Sequence, residues 1–227
     1  MGNWVRMALF SAIKVVTGIF YKTETSWIES KENQNWDEVR MIIFLNHTSL
    51  FEFLFLSAVP FSALMRMACN ITLPFANNTA DRPLTGRFFK ILVPKLISIT
   101  RQRDESWDHF MHQISDEDIV LIFAEGRMMR KGGLDKNGQP MSARGGVADL
   151  MKMLERGKVV IAYSGGLHHV QAPGDKIPRV FKKIAINFEK LDLEDYMKSL
   201  PVSDELPFKQ AVKEDLDKRL MQHKPKI

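Results

Sequence analysis

Three short runs constrain this chain most: Met41-Ile-Ile-Phe-Leu, Ile119-Val-Leu-Ile-Phe and Val159-Val-Ile-Ala-Tyr. Each is apolar throughout, and each runs into polar or glycine residues. Strands that face solvent on one side alternate; continuous apolar runs of this length are what strands covered on both faces require. Helix-forming stretches lie between the runs. The pattern predicts an α/β fold with a mixed, largely parallel sheet flanked by helices. In open sheets of this kind ligands bind beyond the carboxyl ends of the strands.

The first run ends in Asn46-His47-Thr48-Ser49-Leu50-Phe51-Glu52. Five residues is not a same-face helical spacing, since His47 and Glu52 would lie ~140° apart on one helix. They can meet only with His47 in the loop and Glu52 in the first turn of the next helix. There the carboxylate could accept from one imidazole nitrogen and leave the other free as a base. Ser49-x-x-Glu52 is equally a capping box, in which Glu52 reaches back to a backbone N–H. Spacing alone leaves both readings open.

Around these runs the sequence predicts further elements. Residues 50–56 form a helix ending near Pro60, 61–67 a strand and 77–81 a turn. Residues 83–92 are helical up to Pro94, 96–99 a strand and 105–114 a helix. Residues 135–138 form a turn, and 146–156 a helix closed by Gly157. Residues 180–188 make a weak edge strand and 208–222 a charged amphipathic helix. Residues 22–39 read as a short strand pair or loop. No repeat, low-complexity tract or linker divides the chain.

The 227 residues suffice for one domain with a sizeable core. A net charge of +5 permits an anionic partner. The excess is local: residues 125–158 hold eight Lys/Arg against four Asp/Glu. Cys69, the single cysteine, excludes an internal disulfide and a cysteine metal cluster. His168-His169 is a poor metal pair, because adjacent residues on a strand point opposite ways and further ligands are missing. No metal is expected.

At the N-terminus, Arg6 and Lys14 interrupt an apolar stretch from Trp4 to Tyr21, leaving runs far short of the ~20 residues that span a bilayer. No small-residue cleavage site comes after it, so a secretory signal is not expected. Arg6, Ser11, Lys14 and Thr17 share an arc of ~140°, opposite or beside Trp4, Leu9, Ile13, Val16 and Phe20. Residues 1–22 are thus either an amphipathic membrane-interface helix or a first helix docked on the protein's own core. Residues 23–227 form the α/β domain.

Chemistry collects where strands end: His47 with Glu52, Arg101 with Arg103, and Glu125-Gly126-Arg127. Parallel neighbours would bring a base, a carboxylate and several arginines into one cleft. Arginine's planar fork suits phosphate. Gly126 allows close backbone approach, and Glu125 could orient the arginines or bind a ligand hydroxyl. No Gly-x-Ser-x-Gly elbow, Walker loop or Gly-x-Gly-x-x-Gly occurs, so serine hydrolase and nucleotide hydrolase readings lack support.

Asn46-His47-x-x-x-x-Glu52, Ile97-Ser-Ile-Thr-Arg101, Phe123-Ala-Glu125-Gly126 and Val159-Val-Ile-Ala-Tyr163, in that order, resemble the four blocks of the glycerolipid acyltransferases, the 1-acylglycerol-3-phosphate acyltransferase family. Pro83-x-x-Gly86 and Arg144-Gly145 are also similar to that pattern, and the match runs over residues 39–188. The resemblance implies His47 as general base on an acceptor hydroxyl, with Glu52 orienting it. It implies a phosphate site at Arg101 and at Glu125-Gly126 with neighbouring Arg127, and Asn46 in the acceptor site. Departures are Glu52 for the usual aspartate, Ala124 for proline, Met128 where arginine is expected, and Lys95 for glycine. They bear on the acceptor more than on the reaction.

The leading expectation is a peripheral membrane enzyme on the cytoplasmic face. It would move a fatty acyl group from acyl-CoA or acyl carrier protein to a lysophospholipid, with lysophosphatidate the implied acceptor and no cofactor. The alternative is a catalytically silent phospholipid-binding relative. A nucleic-acid partner is not expected, because aromatics do not interleave with the basic run.

Overall fold

A computed structural model describes residues 2–28, 34–76, 83–100, 104–130 and 132–227. Its centre is a seven-stranded sheet: β1 Lys22–Trp27, β2 Val39–Leu45, β3 Ile71–Ala76, β4 Lys95–Ile99, β5 Ile119–Phe123, β6 Lys158–Gly165 and β7 Lys183–Asp192. The spatial order is β1-β7-β6-β2-β5-β3-β4, and only the β6–β7 pair is antiparallel. The three diagnostic runs are therefore the three central strands, β2 flanked by β5 and β6.

Helices cover both faces, and strand alternation decides which side chain meets which layer. Ile42 and Phe44 of β2 face α1 (Asn3–Phe20), a 3-10 helix η1 (Glu52–Ala58), α2 (Phe61–Asn70) and α3 (Pro83–Leu92). Met41, Ile43 and Leu45 face α4 (Glu105–His112), α5 (Gly146–Leu154), α7 (Leu193–Ser199) and α8 (Phe208–His223). A short α6 (Leu167–Val170) comes after β6. Every β2 residue but Arg40 is buried, which is why its run admits no polar alternation.

Several expectations need correction. Residues 61–67 are helical: Ala63, Leu64, Met67 and Ala68 are buried while Ser62, Met65 and Arg66 are not, a helical period rather than a strand's. The strand comes next, as β3. Pro74 is tolerated there because pairing with β5 stops at Thr72 and Pro74 faces only the β4 ladder. Residues 50–56 give the tighter η1 instead of an α-helix. Helix α5 ends at Leu154, two residues early, with Glu155 at φ +57°. Strand β7 is not an edge, since it lies between β6 and β1. β1 is the edge on that side, pairing in parallel with β7 rather than in a local hairpin. The turn expected at 77–81 lies outside the described residues.

The two readings of the N-terminal helix converge in an unexpected way. Helix α1 does dock on the body, burying Phe10 and Thr17, and Lys14 Nζ donates to the carbonyls of Ser57 (2.6 Å) and Val59 (2.8 Å). The cationic arc thus faces the protein. Trp4, Val5, Ala8, Ala12, Val15, Val16 and Ile19 face outward on an arc of ~120°, all of them apolar and exposed. Its mean hydropathy of 1.2 over 18 residues makes it the one described helix long and apolar enough to cross a membrane.

Candidate active site

At the end of β2 the chain must turn sharply, and Asn46 does so at φ +67°, a left-handed conformation asparagine tolerates better than most residues. Its amide Nδ2 donates to the Ser164 carbonyl at 2.6 Å, and Ser164 Oγ donates back to the Asn46 carbonyl at 2.9 Å. This cross-strand exchange pins the turn to β6. From the other side, β5 delivers Glu125, whose two carboxylate oxygens accept from the backbone N–H of Asn46 (2.7 Å) and of His47 (3.0 Å). Both neighbours of β2 thereby clamp the same turn.

On that turn, His47 Nδ1 lies 2.8 Å from Glu52 Oε1. The same oxygen accepts from Ser49 N–H at 3.2 Å. One carboxylate oxygen thus holds the imidazole and reaches back to Ser49 N–H, but the capping box itself is not formed: η1 begins at Glu52 with Phe51 as its N-cap, and Ser49 Oγ accepts from Phe51 N–H at 3.2 Å. Since Nδ1 carries the proton toward Glu52, Nε2 is left as the free nitrogen. The Phe123 ring stacks on the imidazole at 4.5 Å and fixes its plane. Burial alone would lower the His47 pKa, but Glu52, and then Glu125, outweigh it and the net direction is upward. Burial pushes the Glu125 carboxyl up, against the opposing pull of the His47 and Asn46 N–H groups.

His47 and Glu52 open onto a cavity of about 540 Å³, a size usual for a small-molecule site. Its inner part is apolar, lined by Phe44, Leu56, Met67, Ile71 and Leu73, and it reaches Ile42. Ile42 lies three residues before the end of β2 at Leu45, so the cavity runs along about 10 Å of strand below the turn that carries His47. Its outer part is cationic and glycine-rich, with Arg127, Arg144, Lys209, Gly126 and Gly145. Gly126 sits at φ +63°, and a Cβ there would touch the Arg144 side chain at 3.7 Å. That contact is an ordinary one, so it is the left-handed backbone that a side chain at Gly126 would strain.

Of the residues singled out in the sequence, His47, Glu52, Gly126 and Arg127 line this cavity. Asn46 and Glu125, each 2% exposed, are not in its wall; they hold the turn that carries His47. Arg127 is ion-paired with Asp135, which also receives the N–H groups of Asn137 and Gln139 and so organises the 135–139 turn. Those contacts pull the Asp135 pKa down to about 2. Arg101 lies outside the described residues. His168 and His169 occupy the single turn of α6 with rings 3.9 Å apart, not a strand, and no group of three or more potential metal ligands occurs among the described residues.

Ser164 and Phe123 are the site residues that sequence reading missed. Phe123 could have been found, because pairing the ends of the first two apolar runs sets it beside Phe44, just below His47. Nothing local marks Ser164.

The fold and motifs together define an acyltransferase-type α/β protein. The Acyltransferase family model matches residues 13–166, and the chain belongs to that family, as its four ordered motifs implied. The crystal structure of the 1-acyl-sn-glycerophosphate (LPA) acyltransferase PlsC from Thermotoga maritima shares the fold, with a TM-score of 0.54, 16% identity, and coverage of 97% of this chain and 82% of that one. No curated protein matches the sequence.

Proposed function

We propose that this protein is an O-acyltransferase that moves a fatty acyl group from a thioester, acyl-CoA or acyl carrier protein, to the hydroxyl of a lysophospholipid, with 1-acylglycerol-3-phosphate the expected acceptor. The observation that carries the reading is the 2.8 Å His47–Glu52 contact at the mouth of an apolar cavity. His47 Nε2 takes the proton of the acceptor hydroxyl as its oxygen attacks the thioester carbonyl. The tetrahedral intermediate then expels the thiolate, which recovers the proton from His47. The ester bond forms as the thioester bond breaks, and the reaction asks for no cofactor beyond the thioester co-substrate.

Glu52 keeps the tautomer and balances the imidazolium, while Glu125 and Asn46 position its backbone. The apolar depth suits a long acyl chain, and Arg127 with Arg144 suits the acceptor's phosphate. Arg101 is proposed as a further phosphate contact on the strength of the motif alone. The outward apolar arc of α1 would lie in the bilayer interface, making the protein peripheral on the cytoplasmic leaflet.

The test is thiol release from palmitoyl-CoA with a panel of lysophospholipids, wild type beside His47→Ala. Acceptor-dependent release that the substitution abolishes is the expected result. Silence from both proteins, with acyl carrier protein also tried as donor, would instead favour a phospholipid-binding protein without turnover.

A further inference from the structure

Segment 171–182, between α6 and β7, exposes a second apolar surface. Ile177 is 77% exposed, Phe181 74% and Val180 45%, although the segment is well braced. Asp175 accepts from Ala172 N–H at 3.1 Å, and Arg179 N–H donates to the Val170 carbonyl at 2.8 Å. Phe181 stands at φ +59°, an outlier for a bulky residue, and is held there by donating its N–H to Phe20 O at 2.8 Å. Its ring lies 5.9 Å from that of Phe20, which is itself exposed, so the loop's apolar tip abuts the C-terminal end of α1. Residues 171–183 carry Lys176, Arg179, Lys182 and Lys183 against Asp175 alone. Lys176 and Lys182 are exposed and form no ion pair among the described residues.

We propose that segment 171–182 is a second bilayer contact, an aromatic wedge with a cationic flank that enters anionic phospholipid beside α1. It rests on the reading of α1 as the bilayer-facing helix. Exposed apolar side chains, a phenylalanine among them, beside unpaired lysines are the composition of an interfacial segment, whose apolar groups enter the headgroup–acyl boundary while the cations meet lipid phosphates. Protein–protein interfaces are depleted in lysine, which argues against a protein occupant. A rigidly held, permanently exposed phenylalanine also needs no ordering on contact.

The full-length protein, wild type and variants, is sedimented with vesicles of equal parts phosphatidylcholine and phosphatidylglycerol. The pair Ile177→Ser/Phe181→Ser should weaken partitioning about tenfold with an unchanged thermal melt. Lys176→Glu/Lys182→Glu should remove the preference for phosphatidylglycerol over pure phosphatidylcholine. Val15→Asp/Ile19→Asp in α1 serves as the reference and should abolish binding. Loss with the α1 pair but wild-type binding with both loop pairs overturns the wedge and leaves α1 standing. Wild-type binding by the α1 pair overturns the underlying membrane reading itself. A dimer in sedimentation velocity that the loop pair dissolves makes the surface a self-interface and overturns the proposal.

Discussion

Glu125 accepts the backbone N–H of His47 at 3.0 Å, so the residue that carries the free imidazole nitrogen is held by its main chain from β5 and by its ring from η1. Because Glu125 is buried and receives two N–H groups, removing it orphans both donors. Glu125→Ala should cost roughly 2–4 kcal/mol in a urea titration and lower kcat more than it changes KM. Glu125→Gln, which can turn only one oxygen to the two donors, should fall between. A wild-type kcat in a stably folded Glu125→Ala would remove the positioning role.

The proposed mechanism places acid–base chemistry on the His47–Glu52 pair. It uses neutral His47, whose pKa is raised, so the acidic limb of kcat should have its midpoint above the ordinary histidine value of ~6.5. Glu52→Gln removes the largest upward influence and should move that midpoint down while lowering kcat at least about a hundredfold. Stability has the opposite slope. A raised folded-state pKa stabilises fully below the unfolded value and ceases to do so as pH rises through the folded one, so the variant's loss of stability should be larger in acid than in mild alkali. Melts of both proteins across pH check the sign.

Depth in the cavity should set chain length. Ile71 lines its inner part and is 4% exposed. Ile71→Phe should reduce turnover with palmitoyl-CoA roughly tenfold while sparing a medium-chain thioester. Equal losses for both chains would mean that the acyl group lies elsewhere.

Arg127 pairs with Asp135 and lines the cavity, and the proposed mechanism also gives it the acceptor's phosphate. Arg127→Ala should raise KM for a phosphate-bearing acceptor with kcat little changed, whereas Asp135→Asn loosens the 135–139 turn but leaves the guanidinium in place. A KM increase of equal size in both variants would assign Arg127 a turn-holding role only.

The central strands were legible because burial on both faces leaves no room for a polar residue, and such runs survive in the sequence uninterrupted. β3 was not, since its burial is broken by Pro74; β7 was legible as a strand but not as an interior one, because exposed Lys183 precedes its buried Ile184-Ala-Ile. The His47–Glu52 geometry could be reasoned from spacing because both ends lie within one turn. The Asn46–Glu125 bond spans 79 residues and needs the sheet order first. The wheel set the cationic arc apart but placed Leu9 and Ile13 with the opposite apolar residues, whereas both pack against the core; which side faces inward depends on the Ser57 and Val59 carbonyls, which no local pattern reveals.

With Lys14 tied to those carbonyls, α1 cannot roll its charged side toward water without losing two hydrogen bonds. The molecule therefore carries a permanently greasy flank when it is free in solution. Such a surface seeks cover wherever it can find it. In dilute buffer this favours reversible clustering, and handling the protein in mild detergent should keep it monodisperse.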